Sequence, residues 1–199
     1  MKLEIYYPHK KYFVTQDWGE PNPAYAKAFN IPEWTAHNGI DSITSMQDWQ
    51  GKLVTEFPIY CPVENFRVLK VEWQPKGGGN CITLISKEPL EMFERTCHAY
   101  LTLAHAKKVL VKAGDEPALG ELLMISDSTG FSTGNHLHMG LYRCEYDGSH
   151  ITKWVDDGNN TKGSFDPALF FTKQHAVDRA KMSTLFKSGL RYYSYLVLG

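Results

Sequence analysis

The chain has 199 residues, 43% of them hydrophobic, enough to bury one core. Its formal charge of −1 provides no basic field, which argues against nucleic acid as a partner. Four widely spaced cysteines, Cys61, Cys81, Cys97 and Cys144, form no Cys-x-x-Cys pair and read as reduced, buried thiols.

From Met1 to Tyr7 there is no apolar stretch or small-residue cleavage site of a secretory signal, so synthesis in the cytoplasm is expected. No run approaches the ~18 apolar residues of a membrane-spanning helix. Asn22 to Phe29 predicts a short helix, with Asn22 as cap and Pro23 in the first helical position. Phe66 to Trp73 predicts a strand with Leu69, Val71 and Trp73 on one face. A glycine loop, Gly77-Gly78-Gly79, returns the chain to a partner strand from Cys81 to Ser86. Cys97 to His105 alternates again, which places Leu101, Leu103 and His105 on one face and His98, Tyr100 and Thr102 on the other. Short strands at 109–111, 121–125 and 136–143 complete a mainly β, antiparallel domain. A helix is expected from about Gln174 to Lys187, stopped by Gly189. The apolar residues from Tyr192 to Leu198 are then expected to dock on the domain or on a second subunit. The organisation expected is a domain over 1–172 and a helical, apolar extension over 173–199.

Two histidines, His136 and His138, alternate on one predicted strand, so their side chains share a face about 7 Å apart. About a hundred residues upstream, His37-Asn38-Gly39-Ile40-Asp41 supplies another imidazole and a carboxylate. Catalytic zinc takes three protein ligands and keeps a fourth position for water, and His37, Asp41 and His138 can fill the three. Bound zinc lowers the water's pKa to about 7, and a neighbouring imidazole can take a proton or stabilise an oxyanion. His105 and His136 are the candidates for that role. For any single histidine here a hydrogen-bonded surface or core imidazole is the better reading; the order and company of the set shift the balance.

These residues resemble the M23 zinc endopeptidases of the lysostaphin/LytM type. His37-Asn38-Gly39-Ile40-Asp41 is similar to their His-x-Gly-x-Asp motif. Leu103-Ala104-His105 and Val109 to Asp115 are similar to the next stretch, and Gly120 to Leu123 follows in order. Ser128-Thr129-Gly130-Phe131-Ser132-Thr133-Gly134-Asn135-His136-Leu137-His138 is similar to the closing signature. The resemblance runs from about Gln16 to Asp166, and Gln16 to Phe29 is similar to a phage-borne subset. It implies a β-sheet groove with one zinc ion at its floor and bacterial peptidoglycan, whose peptide cross-links are cut, as partner. It also implies metal ligands His37, Asp41 and His138, with His105 and His136 as the catalytic pair. Extra residues at about 45–55 and 88–95, and Met139 where an aromatic is common, are departures that bear on groove shape. Without a signal, the protein is expected to reach the wall after release or as a virion component.

Asn38, Tyr100, Ser132, Thr133 and Asn135 could orient substrate, although such residues also serve turn geometry. Gly39 is expected to allow a tight turn through positive φ, and the glycine loop to be a flexible tip at the groove rim. His98, on the face opposite His105, reads as a packing residue; His9, His150 and His175 read as solvated. Two other readings compete. One is a non-catalytic wall-binding or regulatory module of the same fold, which loss of ligand or catalytic histidines would favour. The other is a biotinyl- or lipoyl-type carrier, for which no modified-lysine motif is present.

Overall fold

The computed structural model describes residues 1–10, 13–21, 23, 26–27, 30, 32, 36–48, 50–155 and 163–179. In chain order its strands are β1 (Ile5–Tyr7), β2 (Val14–Gln16), β3 (Ile40–Ile43), β4 (Met46–Gln47), β5 (Leu53–Val54), β6 (Pro58–Tyr60), β7 (Phe66–Gln74) and β8 (Gly79–Ser86). They continue with β9 (Leu90–Met92), β10 (Arg95–Val109), β11 (Leu122–Ser126), β12 (His136–Tyr146), β13 (Ile151–Val155), β14 (Ser164–Phe165) and β15 (Phe171–His175). Eleven of them share one sheet along the path β2-β3-β12-β10-β11-β6, with β8, β9, β13 and β14 attached to its central strands β10 and β12, and β7 to β8. The pairings within that sheet are antiparallel, as expected, whereas β1 pairs β15 in parallel.

β10 is the spine. Residues 98–104 pair with β12 on one edge, 100–103 pair with β8 on the other, and the end of the strand turns to β11. Alternation divides the sheet into two faces. Ile82, Leu84, Leu101, Leu103, Leu137, Met139 and Leu141 are fully buried on the core face, each worth about 1.5–3 kcal/mol against exposure. Tyr100, Thr102, Ala104, His136, His138 and Tyr142 line a groove on the other. A one-residue slip of β12 would exchange its leucines for its histidines, so the core fixes the register of the site.

One alternation breaks. His105 has φ +65°, in the left-handed region a non-glycine residue rarely adopts. The β10–β8 register shifts between Leu103 and Ala106, so Ala106 joins the core while His105 turns to the groove. The expected grouping of His105 with Leu101 and Leu103 is therefore wrong. A bulge has moved it to the face of Tyr100 and Thr102. His98 thus shares His105's face rather than opposing it, but it is spent in packing. Its Nδ1 lies 2.9 Å from the Ser86 carbonyl, and its ring stands edge-on to Tyr146.

A second shift, between Val68 and Lys70, separates Leu69 from its expected companions. Leu69 packs beside Tyr100, while Val71 and Trp73 are 39% and 57% exposed. The two sequence insertions are hairpins: β4 pairs β5, and β9 pairs the start of β10. Pro23, Ala26 and Lys27 are helical, and the other residues of that expected helix lie outside the described residues. Towards the C-terminus, helix is present at 176–179, two residues later than expected, because Gln174 and His175 close β15. The expected boundary at 172 thus falls inside β15, and residues 180–199 lie outside the described residues. All four cysteines are free and buried.

Candidate metal centre

β3 and β12 run antiparallel with Asp41 directly opposite His138. His37 enters four residues earlier, and its backbone is held by Gly19 and Glu20. Its Nδ1–H donates to the Asp17 carbonyl at 3.1 Å, which leaves Nε2 free to face the site. His37 Nε2, His138 Nδ1 and Asp41 Oδ1 then form a nearly equilateral triangle, with edges of 3.1, 2.9 and 3.1 Å. Burial pushes the Asp41 carboxyl up, but hydrogen bonds from His138 and His37 outweigh it and hold the group well below the usual carboxylate range. Burial lowers His138, while hydrogen bonding and charge from Asp41 outweigh burial and raise His37.

Two nitrogens and one carboxylate oxygen are donors that zinc accepts, and a zinc tetrahedron with bonds of about 2.0–2.2 Å has edges of about 3.3–3.6 Å. The triangle is thus within a few tenths of an ångström of the required size. Gly39 makes room for it. A Cβ there would sit 2.5 Å from the Met139 carbonyl and 2.7 Å from His138 Cε1. Gly39 is not among the residues of positive φ, so close approach to β12, not a left-handed turn, is what excludes a side chain.

His136 and His105 flank the triangle. His136 Nδ1–H donates to the Gly134 carbonyl at 2.8 Å, and Nε2 stands 3.5 Å from Asp41 Oδ2. His105 Nδ1–H donates to the Thr129 carbonyl at 2.8 Å, and the two imidazole centroids are 4.5 Å apart. Burial, and then the neighbouring His136, lower His105 to about 4. Its bulge is clamped from two loops. The His105 amide donates to Gly78, the Thr129 hydroxyl donates to the Ala106 carbonyl, and the Asn80 amide donates to that hydroxyl. Gly79 and Gly130 pack backbone on backbone where side chains would collide. The glycine loop is therefore no loose tip, since the Phe131 amide also donates to Gly77 at 2.7 Å.

The centre lies in a groove of about 870 Å³. Of the residues read as orienting substrate, Asn38, Tyr100, Thr133 and Asn135 line it, though Asn135 Nδ2 is engaged by Asp127. Ser132 is spent elsewhere, bonding Ser128 Oγ and the Gly134 carbonyl and lying 3.3 Å from His136 Nδ1. Tyr142 and Trp154 also line the groove and were not anticipated. Counting in twos from His138 reaches Tyr142; nothing local marks Trp154. Of the three histidines read as solvated, His150 is exposed beside Asp147. His9 is instead buried, 2.9 Å from Ser42 Oγ, because it fills the space behind β3. His175 is half-buried, accepts from the Val177 amide and packs against Tyr60.

No family model matches the chain. A curated relative, an uncharacterized metalloprotease of Haemophilus influenzae, is 35% identical over 103 residues, 51% of this chain and 18% of the relative. The chain thus spans under a fifth of that protein's length. Among solved structures it is similar to the catalytic domain of the antimicrobial peptidase lysostaphin from Staphylococcus simulans. The TM-score is 0.54 at 22% identity, covering 80% of this chain and 91% of that one. A zinc containing peptidase from Vibrio cholerae gives a TM-score of 0.51 at 19% identity, covering 76% of this chain and 39% of that one. In its fold the chain is of the lysostaphin type, the architecture that its four M23-like motifs imply.

Proposed function

We propose that the chain is a zinc-dependent endopeptidase that hydrolyses peptide cross-links of bacterial peptidoglycan. The observation that carries this reading is the triangle of His37, Asp41 and His138 with two further imidazoles beside it. A zinc ion held there supplies Lewis-acid polarisation of a peptide carbonyl and makes hydroxide accessible near neutral pH. With Nδ1–H committed to the Gly134 carbonyl, His136 offers the lone pair of Nε2 to a water proton. Once protonated it can donate from that nitrogen to the leaving amine. His105, fixed in the same tautomer by Thr129 and kept neutral by burial, assists from the adjacent wall and, once protonated, can donate to the developing oxyanion.

The groove continues past the triangle in both directions along β12. Ile43 stands opposite His136 with Ser45 and Thr133 beyond it, and Tyr142 and Trp154 lie beyond His138. A chain can therefore cross the site without ending in it, which supports internal cleavage. The motif resemblance supplies the substrate class and the expectation that the protein meets the wall after release or within a virion. Zinc-loaded protein incubated with purified walls should release fragments with new amino termini by mass spectrometry. Chelation and His138→Ala should each abolish that release. Walls of several chemotypes left with every peptide bond intact would overturn the reading, and tight wall binding without turnover would favour a binding module.

A further inference from the structure

The groove has an aromatic end that the metal centre does not use. Along the β10–β12 ladder, Ala104 opposes His138, Thr102 opposes Gly140, and Tyr100 opposes Tyr142. Trp154 of β13 follows, paired to Cys144. The three rings touch edge to face, with Trp154–Tyr100, Tyr100–Tyr142 and Tyr142–Trp154 centroids 5.0, 5.8 and 6.1 Å apart. Tyr142 leans back over Gly140, where a Cβ would lie 3.2 Å from its ring, and its hydroxyl accepts from Asn38 Nδ2 at 2.7 Å. The wall therefore begins beside the residue that follows His37 and ends at Trp154, which is 50% exposed.

Among the described residues the charge beside this end is Lys70, which interacts with the Tyr100 hydroxyl and is itself paired at 2.6 Å with Glu72 of the groove lining. Tyr142 is four residues from His138 along the strand, about 13 Å, and its ring reaches part of the way back. An extended substrate advances about 3.4 Å per residue, so side chains roughly two to four residues from the reacting bond would lie on the rings. An aromatic wall gains some cation–π attraction from a charged ligand, but its main hydrophobic contribution needs apolar surface to cover it. Glycine brings none, whereas a side chain with a long aliphatic stem does.

We infer that Tyr142 and Trp154 form a specificity subsite for cross-links bearing a side chain with an extended aliphatic stem, and that the groove disfavours all-glycine bridges. The inference rests on the peptidase reading for its cleavage arm but not for its binding arm. Two cross-link peptides of equal length serve as probes, one all glycine and one carrying a lysine side chain three residues from the scissile bond. Cleavage is followed with the zinc-loaded full chain, and binding by calorimetry with the metal-free protein. Wild type should favour the lysine peptide in kcat/KM by about tenfold or more, chiefly through KM, and in Kd by a similar factor.

Trp154→Ala should collapse that preference, and Trp154→Phe should restore part of it. Turnover of both peptides with no preference, or a preference indifferent to Trp154→Ala, overturns the subsite and leaves the peptidase standing. Selective, Trp154-dependent binding with no cleavage of either peptide overturns the peptidase and leaves the subsite. Absence of both binding and cleavage overturns both. A glycan-linked peptide that binds far more tightly than the bare one, with the gain lost in Trp154→Ala, would reassign the wall to saccharide stacking.

Discussion

β12 and β10 lie side by side and each delivers histidine to the same groove, but by opposite means. β12 does so by regular alternation: His136 and His138 point out because Leu137 and Met139 point in, and the ladder to β3 sets His138 against Asp41. β10 delivers His105 through a break, in a backbone conformation unfavourable for its residue type, held by Gly78, Asn80 and Thr129. Two of the three metal-holding groups, Asp41 and His138, are thus built into the sheet, while one flanking imidazole depends on two loops. The two should fail separately.

The largest effect is expected on the β12–β3 side. Asp41→Ala and His138→Ala should each remove bound zinc and lower activity by about a thousandfold or more, measured as zinc content after dialysis and as kcat/KM. Retained stoichiometric zinc in either variant would contradict the ligand assignment. Next comes Gly39→Ala, whose Cβ must displace the Met139 carbonyl or the His138 ring. Zinc affinity should fall about 10–100-fold and stability by about 1–3 kcal/mol, read by competition titration and denaturant unfolding.

Thr129→Val sharpens the contrast from the β10 side. It removes the hydroxyl that joins Asn80 to Ala106 but keeps the carbonyl that His105 uses. A fall in kcat of about tenfold with zinc affinity unchanged within a few-fold is expected, with recovery in Thr129→Ser. An equal loss of zinc would show that the two strands do not act separately.

The smallest effect concerns the support behind β3. His9 is held neutral by burial, its pKa lowered to about 4, and it bonds Ser42 next to Asp41. The unfolded chain, with an ordinary histidine pKa near 6.5, binds the proton more tightly, so stability is full above that value and falls as pH drops towards 4. Between pH 7 and 4.5 the loss from His9 should be about 2 kcal/mol in urea unfolding, and His9→Asn should flatten that slope. A slope unchanged in His9→Asn would place the linkage elsewhere.

Where alternation and motif order govern, the structure was legible in advance. The antiparallel β class, the shared face of His136 and His138, and the convergence of His37, Asp41 and His138 all follow from them. Alternation puts His105 on the wrong face because a bulge is a tertiary event: its cause lies in residues 77–80 and 128–131, not in residues 97–105. Gly39 was correctly singled out for the wrong reason, since the crowding comes from a strand a hundred residues away. His9 and Trp154 carry no local mark of burial or groove position, and only the sheet order places them.

The most direct measurement of the central claim is X-ray absorption at the zinc edge on protein carrying one equivalent of zinc. The structure predicts two imidazole nitrogens and one carboxylate oxygen at about 2.0–2.2 Å with a light-atom fourth position, a spectrum that His138→Ala changes. A sulfur neighbour at about 2.3 Å, or a spectrum indifferent to His138→Ala, would contradict it.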